Sequence, residues 1–356
     1  MSHYLVILLI FLVLLLISKI LRDIFTFYWR ERSAIRSLFQ GISIAVISTC
    51  LFLLISEALL HQFLVRTDFF GFTYSAQRWW DVYWTPVNEF GYRDGEINLP
   101  GDSTKDLAIV LGDSIVAGHG IDKIDDRFSN LLEDKLGSRW RVLNVAKCGW
   151  STSDEIAAIH KHLAEVKPKF VVLSYFFNDI EGVLKTKKIA FPILVSRPDG
   201  VFGDLIENSA ILNFIYWKTY KLFHPDLGST YWNFIKKQSE DPENWESHSK
   251  ELHDLAQELR SNGVKLVVVI FPTLLSPEND RFNTDRVKAL FLKAEVPVID
   301  LHDDLASISP LDRVVSESDP HPSLRMNRLV TEKIAAVLCK NAWVSDPTCS
   351  GSQSIK

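Results

Sequence analysis

The amino-acid sequence predicts a three-layer α/β domain built on a five-stranded parallel sheet, preceded by two N-terminal transmembrane helices. Three observations predict this fold class. From about residue 105 onward, short runs of Val, Ile and Leu alternate with amphipathic stretches. Within each run the apolar residues are consecutive, which is typical of parallel strands covered on both faces. Two longer apolar segments lie before this region, and they predict the membrane helices.

The two apolar segments cover about residues 4–21 and 38–60. A transmembrane helix needs roughly 20 apolar residues, and the first segment reaches this length if the Lys19 ammonium extends to the membrane surface. A signal peptide or a single span is the alternative. The first segment, however, has neither a basic start nor a small-residue cleavage site. We therefore expect two spans that contact membrane lipids.

Lysine and arginine residues predict the orientation of these spans. The link between them is rich in basic residues, whereas no lysine or arginine precedes Tyr4 and few follow the second segment closely. The basic residues of the link are Lys19, Arg22, Arg30, Arg32 and Arg36, and those that follow are Arg66 and Arg78. By the positive-inside rule, the link lies in the cytoplasm and both ends lie outside. The sequence therefore predicts an inner-membrane protein whose larger part faces the periplasm or the cell exterior.

Composition argues against two classes of partner and leaves one covalent link open. The net charge is −5 and no tract of lysine or arginine is present, so no nucleic acid is expected. No cluster of His, Cys and Asp has metal-ligand spacing, so neither a metal nor a cofactor is expected. Cys339 and Cys349 lie ten residues apart near the C-terminus. They form a disulfide in an oxidising compartment, or they are two unrelated thiols.

We divide the chain into a membrane anchor at 1–65, an aromatic-rich connector at 66–103, an α/β domain at 104–345 and a tail at 346–356. The aromatic residues of the connector fit either a belt at the membrane surface or packing against the domain. The alternation of strands and helices breaks at about 180–246. An insertion of this length is usually functional or independently structured. It is a lid over the site, a membrane-contacting element or a packed excursion.

The predicted elements of the domain follow in chain order. Strands are expected at 108–111, 141–145, 170–175, 265–271 and 297–301, where the apolar runs lie. Helices are expected at 127–136, 153–166, 248–261, 284–294 and 323–339, with an amphipathic helix at 211–223 in the insertion.

A candidate nucleophile follows the first strand. Gly112, Asp113 and Ser114 end an apolar run and open into a small-residue turn, which places a hydroxyl at the carboxyl edge of the sheet. A serine hydroxyl needs a neighbouring base, and the base needs an orienting group. The prolines around His321 favour an extended stretch in which Asp319 and His321 project to the same side. The alternative is a helix cap with an ordinary loop histidine.

Two further positions are candidate hydrogen-bond donors for an anionic intermediate. Gly149 ends the second strand, where a bare backbone lets an N–H group approach a ligand closely. Asn178 follows the third strand and offers a side-chain amide. The alternatives are a turn glycine and a helix cap. Four other polar residues are left outside the site: Asp113 is expected to brace its loop, His119 to be a turn histidine or to line the pocket, and His160 and His162 to be solvated on a helix.

Taken together, these positions resemble the SGNH hydrolases, the GDSL lipase/esterase superfamily, over about residues 104–340. The resemblance implies a flavodoxin-like sheet. It also implies that Ser114 is the nucleophile and that its own N–H group contributes to the oxyanion hole. Gly149 and Asn178 would supply the other two donors, and His321 would be the general base.

The sequence departs from the family pattern at two positions. Phe176 stands where the third block usually has glycine, and Ser318 stands where the last block often has its acid. Asp319 follows one residue later, and we choose it as the acid, with a dyad that lacks an orienting acid as the alternative.

The sequence thus predicts a membrane-anchored serine esterase that acts on extracytoplasmic O-acyl esters, an O-acetyl esterase being one case. Its substrate would be an acylated small molecule, glycan or lipid. An O-acyltransferase that modifies a cell-surface glycan would use the same acyl-serine intermediate. A non-catalytic glycan-binding or scaffold module is the third hypothesis, and the departures at Phe176 and Ser318 motivate it.

Overall fold

The computed structural model describes a large part of the chain, namely residues 12, 15–20, 22–24, 27, 33–69, 71–97, 104–192, 195, 198–344 and 349. The first predicted span, 4–21, lies largely outside the described residues, and so does the predicted tail, apart from Cys349.

Strands and helices alternate through the second half of the chain. The strands are β1 (Asp106–Gly112), β2 (Trp140–Ala146), β3 (Phe170–Tyr175), β4 (Lys265–Ile270), β5 (Val298–Asp300), β6 (Val314–Ser316) and β7 (Asp319–Pro322). The helices are α1 (Ser33–Phe63), α2 (Tyr74–Tyr83), α3 (Ser114–Ala117), α4 (Phe128–Leu136), α5 (Thr152–Val166), α6 (Glu181–Thr186), α7 (Gly200–Asn208), α8 (Ala210–Phe223), α9 (Leu227–Glu240), α10 (Pro242–Ser261), α11 (Arg281–Lys293), α12 (His302–Leu305), α13 (Pro310–Arg313) and α14 (Leu324–Lys340).

Strands β1 to β5 form one parallel sheet in the order β2-β1-β3-β4-β5, and this confirms the predicted α/β fold class. The chain runs from β1 outward to β2 and then returns to β3 on the other side of β1. This reversal is the switch point at which open α/β sheets form a crevice outside the carboxyl ends of their strands. β6 and β7 form a separate antiparallel pair.

Apolar side chains of the sheet pack on both of its faces. In β1, Ala108 and Val110 pack in one layer with residues of α4 and α14, whereas Ile109 and Leu111 pack in the other with residues of α5, α10 and α11. All four side chains are fully buried. Because successive strand residues point to opposite faces, burial on both faces explains why the apolar run is unbroken.

The chain divides into two compact units. The first unit comprises 1–66, 71–79 and 195–225, and the second comprises 67–70, 80–194 and 226–356. Among the described residues, one helix, at Ser37–Phe63 in the first unit, is long and apolar enough to cross a membrane. The insertion expected at 180–246 is shared between the units, and its second-unit part packs in a small aromatic cluster with the segment that follows β3.

A disulfide joins Cys339, near the end of α14, to Cys349, with 5.5 Å between the two Cα atoms. Cys50 and Cys148 are free thiols. The bond ties the chain that follows α14 back to the last turn of this helix.

Candidate active site

Ser114 lies at the start of a short helix that follows β1. The Asp113 carboxylate caps this helix by accepting a hydrogen bond from the Ile115 N–H at 2.9 Å, as expected for a residue that braces its loop. Gly118 ends the helix after one turn in the left-handed conformation (φ 76°). The strand end and the two caps together hold the Ser114 hydroxyl at the carboxyl edge of the sheet.

Asp319 and His321 lie on β7, two residues apart on an extended strand. The His321 Nδ1–H donates to Asp319 Oδ1 at 2.6 Å, and the distance from His321 Nε2 to Ser114 Oγ is 2.9 Å. The structure therefore brings the three predicted side chains into one hydrogen-bonded line. With its proton held at Nδ1, the imidazole presents a bare Nε2 that accepts from the Ser114 hydroxyl.

The charges of the pair depend on each other. Burial alone would raise the pKa of the fully buried Asp319, but the charge and hydrogen bond of His321 outweigh it and hold this pKa below its usual value. Burial works against a charged His321, yet the Asp319 carboxylate outweighs it and raises the pKa of His321 above 6.5. His321 is thus made more basic than a free imidazole.

Gly149 and Asn178 lie at the same sheet edge as Ser114. Ala146, at the end of β2, pairs with Gly112, and Gly149 follows three residues later in the left-handed region (φ 77°) with open space beside its Cα. Leu173 of β3 pairs with Leu111 of β1, and Asn178 follows in the 3₁₀ turn Phe177–Ile180. A positive φ is accessible to glycine without strain, and glycine has no side chain to cover this turn.

A tyrosine from the insertion orients the Asn178 amide. The Asn178 side chain donates a hydrogen bond to the Tyr231 hydroxyl, which in turn donates to the Glu181 carboxylate. Burial, together with the charge of Glu181, raises the pKa of Tyr231, so the hydroxyl keeps its proton. Tyr231 is not predictable as a site residue from the sequence, because no local pattern relates α9 to the end of β3.

Phe176, which replaces the family's glycine, packs against the insertion. Its ring lies 5.6 Å from that of Trp232 on α9, and Trp232 also lies 5.5 Å from Phe69 of the connector. The Phe176 backbone N–H donates to the Asp179 carboxylate at 3.0 Å. Phe176 therefore forms an aromatic cluster with Phe69 and Trp232, and a glycine at this position would have no side chain to contribute to it.

His119, for which the sequence left a turn histidine and a pocket residue as alternatives, lies directly against the predicted histidine. The rings of His119 and His321 stack with centroids 4.4 Å apart, and His119 Nε2 lies 3.6 Å from Asp319 Oδ2. Burial and then the neighbouring His321 lower the pKa of His119 to about 3. His119 is therefore a neutral ring packed on the candidate base. The local sequence does not predict this position, because the contact joins residues that are far apart in the chain.

In contrast to Asp319, three other buried carboxyl groups at this end of the sheet have raised pKa values. They belong to Asp113, Glu155 and Asp179. Burial raises the pKa of Asp113, and burial together with the other carboxylates raises the pKa values of Glu155 and Asp179 well above the usual range. Each of these carboxyl groups therefore binds its proton more tightly than a free carboxyl group does.

A second Asp-x-His pair, at the end of β5, shows by contrast what the site requires. The His302 Nδ1–H donates to Asp300 at 2.8 Å, and His302 Nε2 lies 3.5 Å from Asp280. Burial opposes a charged ring, but the bonds to Asp280 and Asp300 outweigh it and raise the pKa of His302 to about 9. A histidine that is protonated at neutral pH and contacts an acceptor at each nitrogen cannot serve as a base.

Among the described residues, one group of side chains has metal-ligand geometry: His119, Asp319 and His321 each place a potential ligand atom within 4.8 Å of the others. The group is invisible to linear spacing because His119 is far from the other two in sequence. His321 directs one ring nitrogen to Asp319 and the other to Ser114, so the hydrogen bonds of the line account for its geometry without an ion.

A serine, a histidine and an aspartate in this order, at the carboxyl edge of a parallel sheet, have the geometry of a serine hydrolase. Residues 110–329 match the model of the GDSL-like lipase/acylhydrolase family. This match covers more than half of the chain, and the chain therefore belongs to that family. It is a hydrolase of the SGNH (GDSL) type, which acts on ester bonds.

Several solved structures are similar to this chain. They include TesA (17% identity, TM-score 0.40, covering 65% of this chain and 98% of that chain). A member of the lipolytic protein G-D-S-L family from Veillonella parvula DSM 2008 has 15% identity and a TM-score of 0.40 (66% and 98% covered). The lipase/acylhydrolase from Enterococcus faecalis has 14% identity and a TM-score of 0.40 (66% and 96% covered). No curated protein sequence matches the chain.

Proposed function

We propose that this protein is a membrane-anchored serine esterase that cleaves extracytoplasmic O-acyl esters through an acyl-serine intermediate. The observation that carries the proposal is the hydrogen-bonded line from Asp319 through His321 to Ser114, with distances of 2.6 and 2.9 Å. A general base must lie within hydrogen-bonding reach of the proton that it removes, and His321 meets this condition.

The residues act in two half-reactions. Ser114 Oγ attacks the ester carbonyl while its proton passes to His321 Nε2, and the negative charge of the tetrahedral intermediate develops on the former carbonyl oxygen. The N–H groups of Ser114 and Gly149 and the Asn178 amide donate to that oxygen. His321 then protonates the leaving alcohol. Water enters, gives a proton to His321, and releases the acid as Ser114 recovers its proton. Asp319 stabilises the imidazolium in both halves.

Two features support action outside the cytoplasm. The lysine and arginine residues before α1 outnumber those just after it, which favours an external C-terminal part. The pairing of Cys339 with Cys349 is typical of proteins that fold in an oxidising compartment. A substrate held at the membrane or cell surface, such as an acylated glycan or lipid, suits an enzyme anchored there.

A fluorophosphonate probe tests the proposal. We expect the full-length protein to be labelled and Ser114→Ala to be unlabelled, because the probe reacts only with an activated serine. Ser129→Ala, a buried serine whose hydroxyl bonds the Asn144 side chain, is the matched control and should be labelled like wild type. A wild-type protein that binds glycan but takes up no probe would instead be a binding module.

An acceptor experiment separates hydrolysis from transfer. Purified protein is given an activated acyl ester with and without a glycan acceptor, and free acid and acylated glycan are both measured. We expect free acid in both samples. Product that forms only when acceptor is present would show that the protein is an acyltransferase.

The pH dependence of kcat/KM should report the ionisation of His321. The neutral imidazole is the active form, so activity falls as the pH drops through the pKa of His321, which lies above 6.5. We expect kcat/KM for an uncharged ester to decline tenfold per pH unit below this midpoint. His119, with a pKa of about 3, does not titrate there. The decline should therefore persist in His119→Gln, and its disappearance in that variant would assign it to His119 instead.

Tyr231→Phe should lower kcat roughly tenfold and leave KM nearly unchanged, because one hydrogen bond that orients the Asn178 amide is lost. Tyr92→Phe is the control, since it removes a buried hydroxyl that contacts His162 rather than Asn178. Steady-state kinetics on both variants provide the measurement. Equal losses of kcat in the two variants would mean that Tyr231 contributes only to stability.

A further inference from the structure

Two helices of the insertion, α7 and α8, expose a large apolar surface. Their exposed apolar residues are Val201, Phe202 and Leu205 in α7, and Leu212, Phe214, Ile215, Leu222 and Phe223 in α8. Along α8, the positions of Leu212, Ile215 and Leu222 recur on one side at helical spacing. The opposite side, which includes Ala210 and Trp217, is buried. An apolar surface of this extent marks an interaction site.

The buried side of α8 is fixed to the apolar helix of the same unit. Glu57 of α1 accepts hydrogen bonds from the Ser209 hydroxyl at 3.0 Å and from the N–H groups of Ala210 and Ile211 at 2.6 and 3.0 Å. These donors form the N-terminus of α8, where the helix dipole favours a carboxylate. Asn213 adds a further tie by accepting from the Tyr74 N–H at 2.7 Å.

These bonds set the depth at which α8 begins. Glu57 precedes the end of α1 at Phe63 by six residues, which corresponds to about 9 Å along the helix axis. In a membrane crossed by α1, that depth lies near the boundary between headgroups and acyl chains. A carboxylate is costly at this depth unless donors satisfy it, and the N-terminus of α8 supplies them.

The composition of α8 fits the same boundary. The helix carries Lys218 and Lys221 and no acidic residue. The Lys218 ammonium lies 5.8 Å from the centre of the Phe214 ring, beside the apolar side. Long basic side chains reach from an apolar surface toward headgroups, and they attract anionic lipids. Tyr216 and Tyr220 add the aromatic side chains that are enriched at membrane surfaces.

We propose that α7 and α8 lie in the outer interface of the bilayer that α1 crosses, with their exposed apolar side chains among the acyl chains and Lys218 and Lys221 at anionic headgroups. This inference rests on the proposed membrane anchoring. It assigns the first-unit part of the insertion, 195–225, to membrane contact rather than to a lid or a packed excursion. Helix α8 is bonded to α1, whose own apolar side chains are exposed, which is the reason to choose lipid as the occupant.

Site-directed spin labelling tests the inference on the full-length protein in bilayers that contain phosphatidylglycerol. Cysteine replaces Ile215 or Leu222 in a background in which both free thiols are removed (Cys50→Ser and Cys148→Ala), and each is labelled with a nitroxide. Lys237→Cys, exposed on α9 of the second unit, is the matched control. Oxygen concentrates among acyl chains, whereas a nickel chelate stays in water. We expect labels at 215 and 222 to collide mainly with oxygen and the label at 237 to collide mainly with nickel.

Three outcomes would overturn the inference. Labels at 215 and 222 that meet nickel as often as the label at 237 would place α8 in water. Spin–spin broadening at 215 that disappears on dilution with unlabelled protein would place a second copy there. Release of the protein from membranes by alkaline carbonate would show that no transmembrane helix anchors it. Fluorophosphonate labelling of each variant shows whether the active site is intact, so these outcomes are separate from loss of the proposed esterase activity.

Discussion

Asp319→Asn should reduce kcat about 10⁴-fold. An asparagine keeps the shape of the side chain, but its amide donates to His321 Nδ1 instead of accepting from it. The imidazole proton then moves to Nε2, the nitrogen that faces Ser114 at 2.9 Å. A protonated Nε2 cannot accept the hydroxyl proton, so the nucleophile is no longer activated. Steady-state turnover of an activated ester measures the loss, and thermal unfolding checks that the variant is folded.

Ser318→Ala is the matched control for this variant. Ser318 occupies the family's usual acid position, but its hydroxyl lies 3.1 Å from the Ser316 hydroxyl, and it is Asp319 that bonds the histidine. We expect kcat within about twofold of wild type, since exposed substitutions of this kind have small effects. Near-normal turnover in Asp319→Asn would contradict the assignment, and the site would then be a Ser114–His321 dyad that needs no orienting acid.

The sequence could predict this part of the site because its geometry is local. Prolines beside Asp319 and His321 favour an extended backbone, and side chains two apart on a strand share one side. The parallel fold then brings the end of β1 and the loop before α14 to one edge. The contact of His119 with His321 has no such local cause, because it depends on how the loop after α3 meets β7. Spacing along the chain carries no information about that meeting.

The connector illustrates a second limit. The sequence predicts a solvated His162 on α5, and this is wrong: the ring is buried and bonds the Tyr92 hydroxyl at 2.8 Å. Helical periodicity places a residue on a side of its helix, but it does not show that another segment covers that side. Arg93 is a second example, since it is fully buried and donates to the carbonyls of Gly118 and Ile121. Neither residue follows a pattern that predicts its partners.

The elements of the sheet were predictable for the opposite reason. The expected strand at 170–175 matches β3, and the expected helix at 127–136 differs from α4 by one residue. A strand buried on both faces has consecutive apolar residues, and a helix buried on one face has apolar residues at helical spacing. The sequence of each element therefore indicates how that element is buried. The insertion lacked this regularity. Helix α9 escaped prediction because aromatic and lysine residues are mixed along it, although Tyr231 and Trp232 from this helix contact the site.

Asn178→Ala should reduce kcat about 10²- to 10³-fold while changing KM little. The reason is that the Asn178 amide acts on the charge of the tetrahedral intermediate, which the bound ester does not yet carry. Tyr231 and Glu181 remain bonded to each other in this variant, so the surrounding structure should hold. The measurement is kcat and KM for one ester in wild type and variant at a pH above the midpoint of His321.

Asn233→Ala provides the comparison for that measurement. Asn233 is exposed on α9, so its loss should leave both constants unchanged. A kcat within about threefold of wild type in Asn178→Ala would mean that the backbone N–H groups of Ser114 and Gly149 carry the oxyanion alone. The hydrogen bonds that link Glu181, Tyr231 and Asn178 would then contribute to packing and not to catalysis. A fall in kcat for both Asn178→Ala and Tyr231→Phe, larger in the first, would instead show that the insertion supplies the group that holds the third donor in place.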